Sequence, residues 1–386
     1  MSADAEVIVV GGGAAGAAAA VHLALRGRAV HVLTQQCGAP APGCGGGMAA
    51  SVQRWFPFDL APAVEQVIRR VRFTWNLADP VVADLPGEAP FWIVDRPALD
   101  RLLLARAVEH GATVQEGASV TSLQREGSLW CASTATGKPL RAPAVVLASG
   151  SSSPLPAALG LGPSRPRFAT AMAAAVDPAS DGASATAEPP EATAWFEFGL
   201  VHHGFSWVFP RRRGHSIGVG TFLDQGRDGV DFQAVLGRLL PALGCGADQG
   251  ERRLLNLRIW NGHHRLHREG IVAVGDAASL CDPFLAEGIR PALLSGTLAA
   301  EALDGWLAGD AESLQHYSAR IRRDWGDSMA WGRRIAQVFY RFPGVGYQLG
   351  IKRPTAPQRI AQILSGSMGY GDIAQRVIRR LLLQRS

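Results

Sequence analysis

The sequence has 386 residues, a formal net charge of +5 at pH 7, 47% hydrophobic residues and 18% charged residues. These values are typical of a globular protein with two or three structural units, and they exclude a largely disordered chain. The basic residues, nearly all arginines, are scattered and form no stripe, so we expect no nucleic-acid partner. The five cysteines include no CxxC pair and predict no disulfide framework.

The sequence shows no signal for membrane insertion. No apolar run reaches the ~18–20 residues that span a bilayer, and no basic region precedes the apolar residues 7–10. We therefore predict a cytoplasmic protein. Residues 373–383 have apolar side chains along one helical face, flanked by arginines. We favour a helix docked on the protein there, with peripheral membrane association through anionic lipid as the alternative.

A glycine-rich turn near the N-terminus joins a short buried strand, residues 7–10, to an alanine-rich helix, residues 17–26. Gly11 permits the tight turn, Gly13 lets the backbone approach a pyrophosphate, and Gly16 allows close contact between helix and strand. The N–H groups at the start of the helix then bind phosphate. This unit predicts dinucleotide binding.

The next strand, residues 29–33, departs from the usual dinucleotide-binding pattern. It ends in Thr34, where an Asp or Glu normally accepts hydrogen bonds from the ribose. A neutral acceptor is weaker than a charged one by ~1 kcal/mol. We therefore expect Thr34 or Gln35 to accept one hydrogen bond and the dinucleotide to bind with reduced affinity.

A second motif follows about 260 residues downstream, where the strand at 271–274 ends in Gly275 and Asp276. Asp276 is suited to accept a hydrogen bond from a ribityl or ribose hydroxyl, and a helix beginning near Gly288 directs its N–H groups at a flavin. The alternative is a plain turn in which Asp276 caps a helix. An NAD-binding domain needs only the first motif, so the pair of motifs predicts FAD.

The remaining elements follow from periodicity and turn residues. They are a helix at 96–110, a buried strand at 144–148, an exposed loop at 176–193, strands at 195–198, 205–209 and 216–222 with a turn at 211–214, a helix at 289–307, and helices beyond 312.

This order predicts an α/β fold in which a Rossmann-like FAD-binding domain of three layers (ββα) is interrupted by an antiparallel β-sheet substrate domain. A helical C-terminal region completes the chain. The predicted FAD-binding domain comprises residues 1–55, 94–165 and 268–310. The β-rich substrate domain comprises 56–93 and 166–267, and the helical region 311–386.

The chain resembles the geranylgeranyl reductase family, a branch of the FAD proteins built like p-hydroxybenzoate hydroxylase. The resemblance runs nearly end to end and rests on residues 11–16, 44–47, 94–96, 204–210, 275–289 and 364–370. Members of that family reduce isolated double bonds in polyprenyl chains with reduced FAD. The resemblance therefore implies an FAD cofactor and an apolar prenyl or lipid-like substrate.

The resemblance also implies site residues. Cofactor-binding residues would be Gly11, Gly13, Ala15, Gly16, Thr34, Cys44, Gly45, Gly47, Arg96, Val120, Asp276, Gly288 and Ile289. Residues at the reacting end would be Cys44, Phe205, Trp207 and Phe209.

Alternation along one strand places Phe205, Trp207 and Phe209 on one face, where they would line a prenyl tunnel. The same three residues could instead be ordinary core. Likewise, Cys44 could be a small residue in a glycine turn and Arg96 a surface ion pair.

Two positions depart from the family pattern. Phe205 stands where the family has Tyr, which removes a hydroxyl that could order the substrate. Ser149 stands where hydroxylase relatives carry an Asp that supports FAD and NADPH binding. The electron donor is therefore left open between NADPH and a protein such as ferredoxin.

Particular residues bear on three alternative functions for a protein of this fold. An FAD monooxygenase would be expected to keep an acid at Ser149, and a halogenase needs a catalytic lysine, whereas Lys138 and Lys352 lie in no suitable motif. A non-catalytic prenyl carrier on a degenerate FAD fold is a third reading. The histidines at 263–267 are expected to form a solvated basic loop, with no metal.

Overall fold

A computed structural model describes residues 2–38, 44–88, 90–176, 192–222 and 229–383, the side chains to residue 376. The described strands are β1 (Val7–Val10), β2 (Val30–Leu33), β3 (Gly47–Ala49), β4 (Val64–Ile68), β5 (Arg70–Trp75), β6 (Ala78–Asp84), β7 (Phe91–Val94), β8 (Thr113–Gln115), β9 (Val120–Glu126), β10 (Leu129–Thr134), β11 (Leu140–Ala142), β12 (Ala144–Leu147), β13 (Arg167–Val176), β14 (Thr193–Phe198), β15 (Gly204–Pro210), β16 (His215–Thr221), β17 (Arg252–Ile259), β18 (His267–Arg268) and β19 (Ile271–Ala273).

Helices follow the strands in both halves of the chain and dominate its C-terminal part. They are α1 (Ala14–Leu25), α2 (Arg96–Glu109), α3 (Leu155–Ala158), α4 (Phe232–Leu239), α5 (Ile289–Leu307), α6 (Ser313–Ile321), α7 (Asp327–Arg341), α8 (Pro343–Gly346), α9 (Ala356–Leu364) and α10 (Tyr370–Leu383). Short 3-10 and π-helical turns connect several of them.

The first sheet is parallel except at one edge and has the order β18-β19-β12-β1-β2-β8. Its central strand β1 pairs in register with both neighbours, so that Val7 lies beside Val30 and Ala144. All four residues of β1 and of β12 are buried, as expected for parallel strands covered on both faces. This is the predicted Rossmann-like sheet.

Helices α1 and α5 pack on each other against this sheet. Gly296 permits the close approach, because a β-carbon there would lie 2.2 Å from the Ala15 carbonyl oxygen. The antiparallel meander β9–β10–β11 lies nearby and is tied to the sheet by Trp130, whose indole N–H donates to the Glu269 carbonyl at 2.8 Å. The predicted α/β fold class, with a Rossmann-like first sheet, is thereby confirmed.

The large sheet has seven strands in the order β17-β13-β16-β15-β14-β5-β6. The predicted antiparallel sheet is confirmed, and one pair of its strands, β14 with β5, runs parallel. The physical reason is that β5 comes from a distant part of the chain, and such a crossover can deliver a strand in either direction, whereas a hairpin cannot. The predicted turn is present: the Arg211 N–H donates to the Gly214 carbonyl.

A third, small sheet, β3-β7-β4, adjoins the start of α2. Most predicted elements agree with the observed ones within a few residues; α1 begins three residues earlier than expected, and α5 has the predicted bounds. The predicted loop at 176–193 falls mainly on residues 177–191, which lie outside the described residues. The helical C-terminal region is confirmed, and among the described residues no helix is long and apolar enough to cross a membrane.

Candidate active site

Of the three predicted motif glycines after β1, Gly11 and Gly16 are crowded and Gly13 is open. Gly11 has φ +105°, and a β-carbon there would lie 2.3 Å from the Ala148 carbonyl oxygen. At Gly16 it would lie 1.9 Å from the Gly11 carbonyl oxygen. At Gly13, by contrast, only an Arg96 side-chain nitrogen comes within 4 Å, at 3.9 Å. The backbone of Gly13 at the start of α1 is therefore accessible, as a pyrophosphate site requires.

Thr34, at the end of β2, is buried behind this turn. Its hydroxyl donates to the Gln36 carbonyl at 3.2 Å, and a β-carbon on Gly12 would lie 2.9 Å from the same hydroxyl oxygen. The Thr34 carbonyl accepts from the Ala118 N–H at 2.9 Å, which brings Val120, at the start of β9, to the same end of the sheet. Thr34 and Val120 therefore lie at the same end of the sheet, and neither lines the central cavity described below.

Arg96 opens α2 and lies beside the glycine turn. Asp95 caps the helix by accepting from the Ala98 N–H at 2.9 Å, and Arg96 pairs with Asp100 at 3.0 Å one turn along. Burial lowers the pKa of Arg96, but the negative groups around it, Asp100 foremost and Asp276 among them, raise that pKa above its ordinary value. The Arg96 Nε is buried and has no hydrogen-bond partner among the described residues. The Arg96 guanidinium therefore keeps its positive charge, and its Nε–H group is left to donate a hydrogen bond to a ligand.

The second motif forms a tight turn between β19 and α5. Gly275 has φ +57°, and its N–H donates to the Ser295 hydroxyl at 2.9 Å. Burial raises the pKa of Asp276 to about 6, against the opposing effect of Arg96 and Arg258. Gly288 precedes the first residue of α5, Ile289, without a side-chain cap. The start of this long helix consequently leaves N–H groups available to a ligand.

Glu287, directly before that helix start, was missed by the sequence analysis. Its side chain is only 9% exposed and pairs with Arg290 at 2.7 Å. Burial raises the pKa of Glu287 to about 7, although Arg290 acts in the opposite direction. Its Oε1 is buried and lacks a partner in the described part of the chain. The sequence did offer a signal for Glu287, because an acidic residue stands directly before Gly288, the predicted start of the helix.

These elements surround one cavity of about 560 Å³. It lies between the two sheets and brings the glycine turn, the 44–47 segment, the second motif and the aromatic face of β15 together. Among the predicted site residues, those that line the cavity are Gly13, Ala15, Cys44, Gly45, Gly47, Arg96, Phe205, Trp207, Phe209, Asp276, Gly288 and Ile289. Gly11, Gly16, Thr34 and Val120 are not part of its lining.

The aromatic side chains of β15 form one wall, with ring centroids 6.3 Å apart for Phe205 and Trp207 and 6.5 Å apart for Trp207 and Phe209. The 44–47 segment lies directly against them, because a β-carbon on Gly45 would lie 3.0 Å from both Phe209 and the Trp207 nitrogen. Sequence reasoning missed Phe196, whose ring centroid lies 5.2 Å from that of Phe209. The predicted shared face of β15 is confirmed.

The histidine-rich segment lies elsewhere. His263, His264 and His267 border a second hollow of about 320 Å³ beside α6. His267 pairs with the Ser318 hydroxyl at 2.7 Å and His264 with the Asn261 side chain at 2.8 Å. Within the described ranges, no group of His, Cys, Asp or Glu side chains could hold a metal ion.

A parallel sheet with a glycine turn, a second glycine–aspartate turn and a cavity between them defines a dinucleotide-dependent enzyme with two cofactor motifs. The family model described as "FAD dependent oxidoreductase" matches residues 87–304. That range is more than half of the chain, and the protein belongs to this family. Its cofactor is FAD, and the open backbone at Gly13 and the unpaired donor of Arg96 fit an anionic dinucleotide.

Curated relatives are similar over most of their length. Digeranylgeranylglycerophospholipid reductase 2 of Methanothermobacter thermautotrophicus is 26% identical over 366 residues, covering 86% of this chain and 87% of the relative. Digeranylgeranylglycerophospholipid reductase of Methanoculleus marisnigri is 26% identical over 335 residues, covering 82% of this chain and 81% of the relative.

Two solved structures show the same fold. A geranylgeranyl bacteriochlorophyll reductase-like protein of Thermoplasma acidophilum superposes with a TM-score of 0.77 at 20% identity, covering 87% of each chain. The flavin-dependent brominase Bmp2 superposes with a TM-score of 0.71 at 18% identity, covering 97% of this chain and 99% of the other.

Proposed function

We propose that this protein reduces carbon–carbon double bonds of a polyprenyl chain with reduced FAD as the hydride donor. The observation that carries the proposal is the cavity itself, in which both cofactor motifs face an aromatic wall. An isolated alkene offers no polar handle, so its reduction needs an apolar site that excludes water. The names of the curated relatives support the same chemistry.

In this proposal the cofactor lies along the edge of the first sheet. Gly11, Gly13 and Gly16 shape the turn that receives the pyrophosphate, with Ala15 in the first turn of α1. Thr34 and Val120 would lie toward the adenosine, which the hydrogen bond from the Ala118 N–H to the Thr34 carbonyl at that end of the sheet supports. Arg96 supplies positive charge beside Gly13.

The flavin end of the cofactor falls between the second motif and the 44–47 segment. Asp276 accepts from a cofactor hydroxyl, and the backbone at Gly288 and Ile289 offers N–H donors. Cys44, Gly45 and Gly47 carry little side-chain bulk, which leaves room for a planar ring beside the aromatic wall of β15.

Saturating a double bond adds a hydride to one carbon and a proton to the other, and reduced FAD supplies the hydride. Phe205, Trp207 and Phe209 hold the apolar chain and keep water out. We assign the proton to Glu287, whose Oε1 is buried at the cavity without a described partner. Its pKa of about 7 leaves the carboxyl partly protonated near neutral pH, and Arg290 stabilises the carboxylate that remains after transfer.

Further parts of the proposal concern partners and place. We propose a protein electron donor such as ferredoxin in preference to NADPH, because Ser149 stands where hydroxylase relatives carry an acid. The protein would act in the cytoplasm on a lipid-like substrate reached from one side of a membrane. We also propose the division into three domains given under Sequence analysis, in which β5 and β6 belong to the substrate domain.

A halogenase or monooxygenase of the same fold is the second candidate, because the brominase superposes over nearly the whole chain. That likeness extends to the fold alone. Neither lysine lies at the cavity: Lys352 pairs with Asp79 at 2.8 Å, and Lys138 is exposed in the β10–β11 connection. A halogenase that uses a cavity lysine is therefore disfavoured.

A binding experiment tests the proposal. Purified, FAD-loaded protein is titrated with a geranylgeranyl lipid and with a saturated lipid of the same length, while the flavin absorption is recorded. We expect a saturable spectral shift with the unsaturated lipid, since the chain would lie against the ring. A spectrum unchanged by any prenyl lipid would contradict the assignment of the cavity to a prenyl chain.

A further inference from the structure

The end of α7 and the segment after it expose large apolar side chains. Val338 is 70% exposed, and Phe342, Val345 and Leu349 are each 57% exposed. Val338 lies on α7, Phe342 lies at the bend that ends α7 (φ −133°, ψ 65°), and Val345 and Leu349 lie on the helical turns that follow. We call these four residues the apolar ridge. Scattered exposed apolar residues are ordinary, but four of the seven large ones exposed among the described residues fall between 338 and 349, and such a cluster marks an interaction surface.

The chain around the apolar ridge is basic throughout. Residues 328–371 contain no Asp or Glu, and their basic residues are Arg333, Arg334, Arg341, Lys352, Arg353 and Arg359. Arg334, Arg341 and Arg353 are exposed, and the Arg341 guanidinium lies 5.7 Å from the ring centroid of Phe342. Lys352 is neutralised by Asp79, a residue of β6. The surface therefore combines apolar contact with unneutralised positive charge.

The opposite face of α7 reaches toward the cavity. Phe339 packs edge-on against Phe198 with ring centroids 5.3 Å apart. Tyr340 lies 5.2 Å from Phe222 by the same measure, and Phe222 lines the cavity. The apolar ridge is thus separated from the cavity wall by the thickness of one helix, about 10 Å.

We infer that the apolar ridge docks on an anionic lipid surface. Apolar side chains enter the boundary between head groups and acyl chains, and the surrounding arginines bind the anionic head groups. The large exposed apolar side chains favour lipid over an acidic protein partner, because they would enter the acyl boundary that lies beneath anionic head groups. The inference rests on the proposed function only in taking the substrate to be a lipid. Binding of this surface to lipid can be measured without any substrate.

The test is co-sedimentation of the FAD-loaded protein with vesicles. Phosphatidylcholine vesicles with and without phosphatidylglycerol are compared at low and high salt. We expect binding that grows with anionic lipid and weakens with salt. Phe342→Glu combined with Leu349→Glu should lower the bound fraction about tenfold or more. Arg341→Glu with Arg353→Glu should remove the preference for anionic lipid.

The matched control for each single change, Phe342→Glu or Leu349→Glu, is Val108→Glu, which adds the same charge at an apolar side chain that is 50% exposed on α2. It should bind vesicles like the parent protein. Turnover of a detergent-dispersed prenyl substrate separates this inference from the proposed function, since the ridge variants should retain it. Equal vesicle binding by ridge variants and parent would overturn the inference. So would a dimer in light scattering that the Phe342→Glu, Leu349→Glu protein loses, because the ridge would then be a contact between two copies.

Discussion

The indole of Trp207 lies against the α-carbon of Gly218, the residue directly opposite it in the β15–β16 pair. A β-carbon on Gly218 would lie 2.1 Å from Cζ2 of that indole, so the glycine provides the space in which the ring rests. A glycine inside a strand weakens the strand, and close approach of another group is the usual reason for it. Here it fixes how the indole faces the cavity.

Gly218→Ala should therefore displace the Trp207 ring and reduce prenyl turnover. The matched control is Gly220→Ala, two residues along the same strand, where the nearest atom to an added β-carbon is 3.4 Å away. We expect the control to keep its activity. The two variants are compared by steady-state kinetics on a prenyl substrate and by near-ultraviolet circular dichroism. Equal activities of the two variants would contradict a role for the orientation of the indole.

Removal of the Trp207 indole tests directly whether the aromatic wall of β15 contacts the substrate. Trp207→Ala should cost ~1–3 kcal/mol in kcat/KM because apolar contact with the substrate is lost. The FAD absorption should stay nearly unchanged, since the indole is proposed to contact the chain. If the variant merely unfolds more easily and each folded molecule keeps full activity, then Trp207 is ordinary core.

The pH dependence of stability follows from the second motif. Burial raises the pKa of Asp276 from 3.8 to about 6 in the folded protein, so folding favours its protonated form. The contribution is complete below pH ~4 and is lost as the pH rises through 6. The Tm of FAD-free protein should fall over that interval, and Asp276→Asn should flatten the fall. A parallel decrease in both proteins would show that other groups are responsible.

Loss of the Asp276 carboxylate should also weaken FAD binding, because its hydrogen bond to a cofactor hydroxyl is removed. Fluorescence titration of apoprotein with FAD measures the effect for Asp276→Ala. Flavin occupancy equal to that of the parent protein would remove Asp276 from the site.

Glu287→Gln should slow substrate saturation while leaving FAD bound, because the amide cannot release a proton in the relevant range. The pKa of Glu287, about 7, predicts that the rate of the parent enzyme decreases as the pH rises through that value. The variant should lose this pH dependence. Stopped-flow rates between pH 5 and 9 provide the measurement, and an unchanged profile would assign the proton to another group.

Reduction by NADPH alone should be slow, and dithionite or a reduced ferredoxin should be faster. The reason is Ser149, whose hydroxyl is buried without a described partner where an acid would assist the nucleotide. Rapid bleaching of the flavin by NADPH in a stopped-flow experiment would refute this. Ser149→Asp offers the converse test, with faster NADPH reduction expected.

Local patterns in the sequence predicted the sheet around β1, the helix α5 and the shared face of β15, because each depends on periodicity and turn residues that lie close together in the chain. The parallel pairing of β14 with β5 could not be predicted, since it depends on where a distant segment enters the sheet. Two further features were missed because a local pattern does not show packing. Phe196 contacts Phe209 across the pairing of β14 with β15, and Glu287 beside Arg290 becomes buried only in the folded chain.

The most direct test of the account is a single anaerobic turnover. FAD-loaded protein is photoreduced without oxygen and mixed with a geranylgeranyl lipid, and the flavin absorption and the mass of the lipid are followed together. The account predicts reoxidation of the flavin matched by the addition of two hydrogen atoms to the lipid per flavin. A flavin that stays reduced until oxygen is admitted, with the lipid mass unchanged, would contradict it.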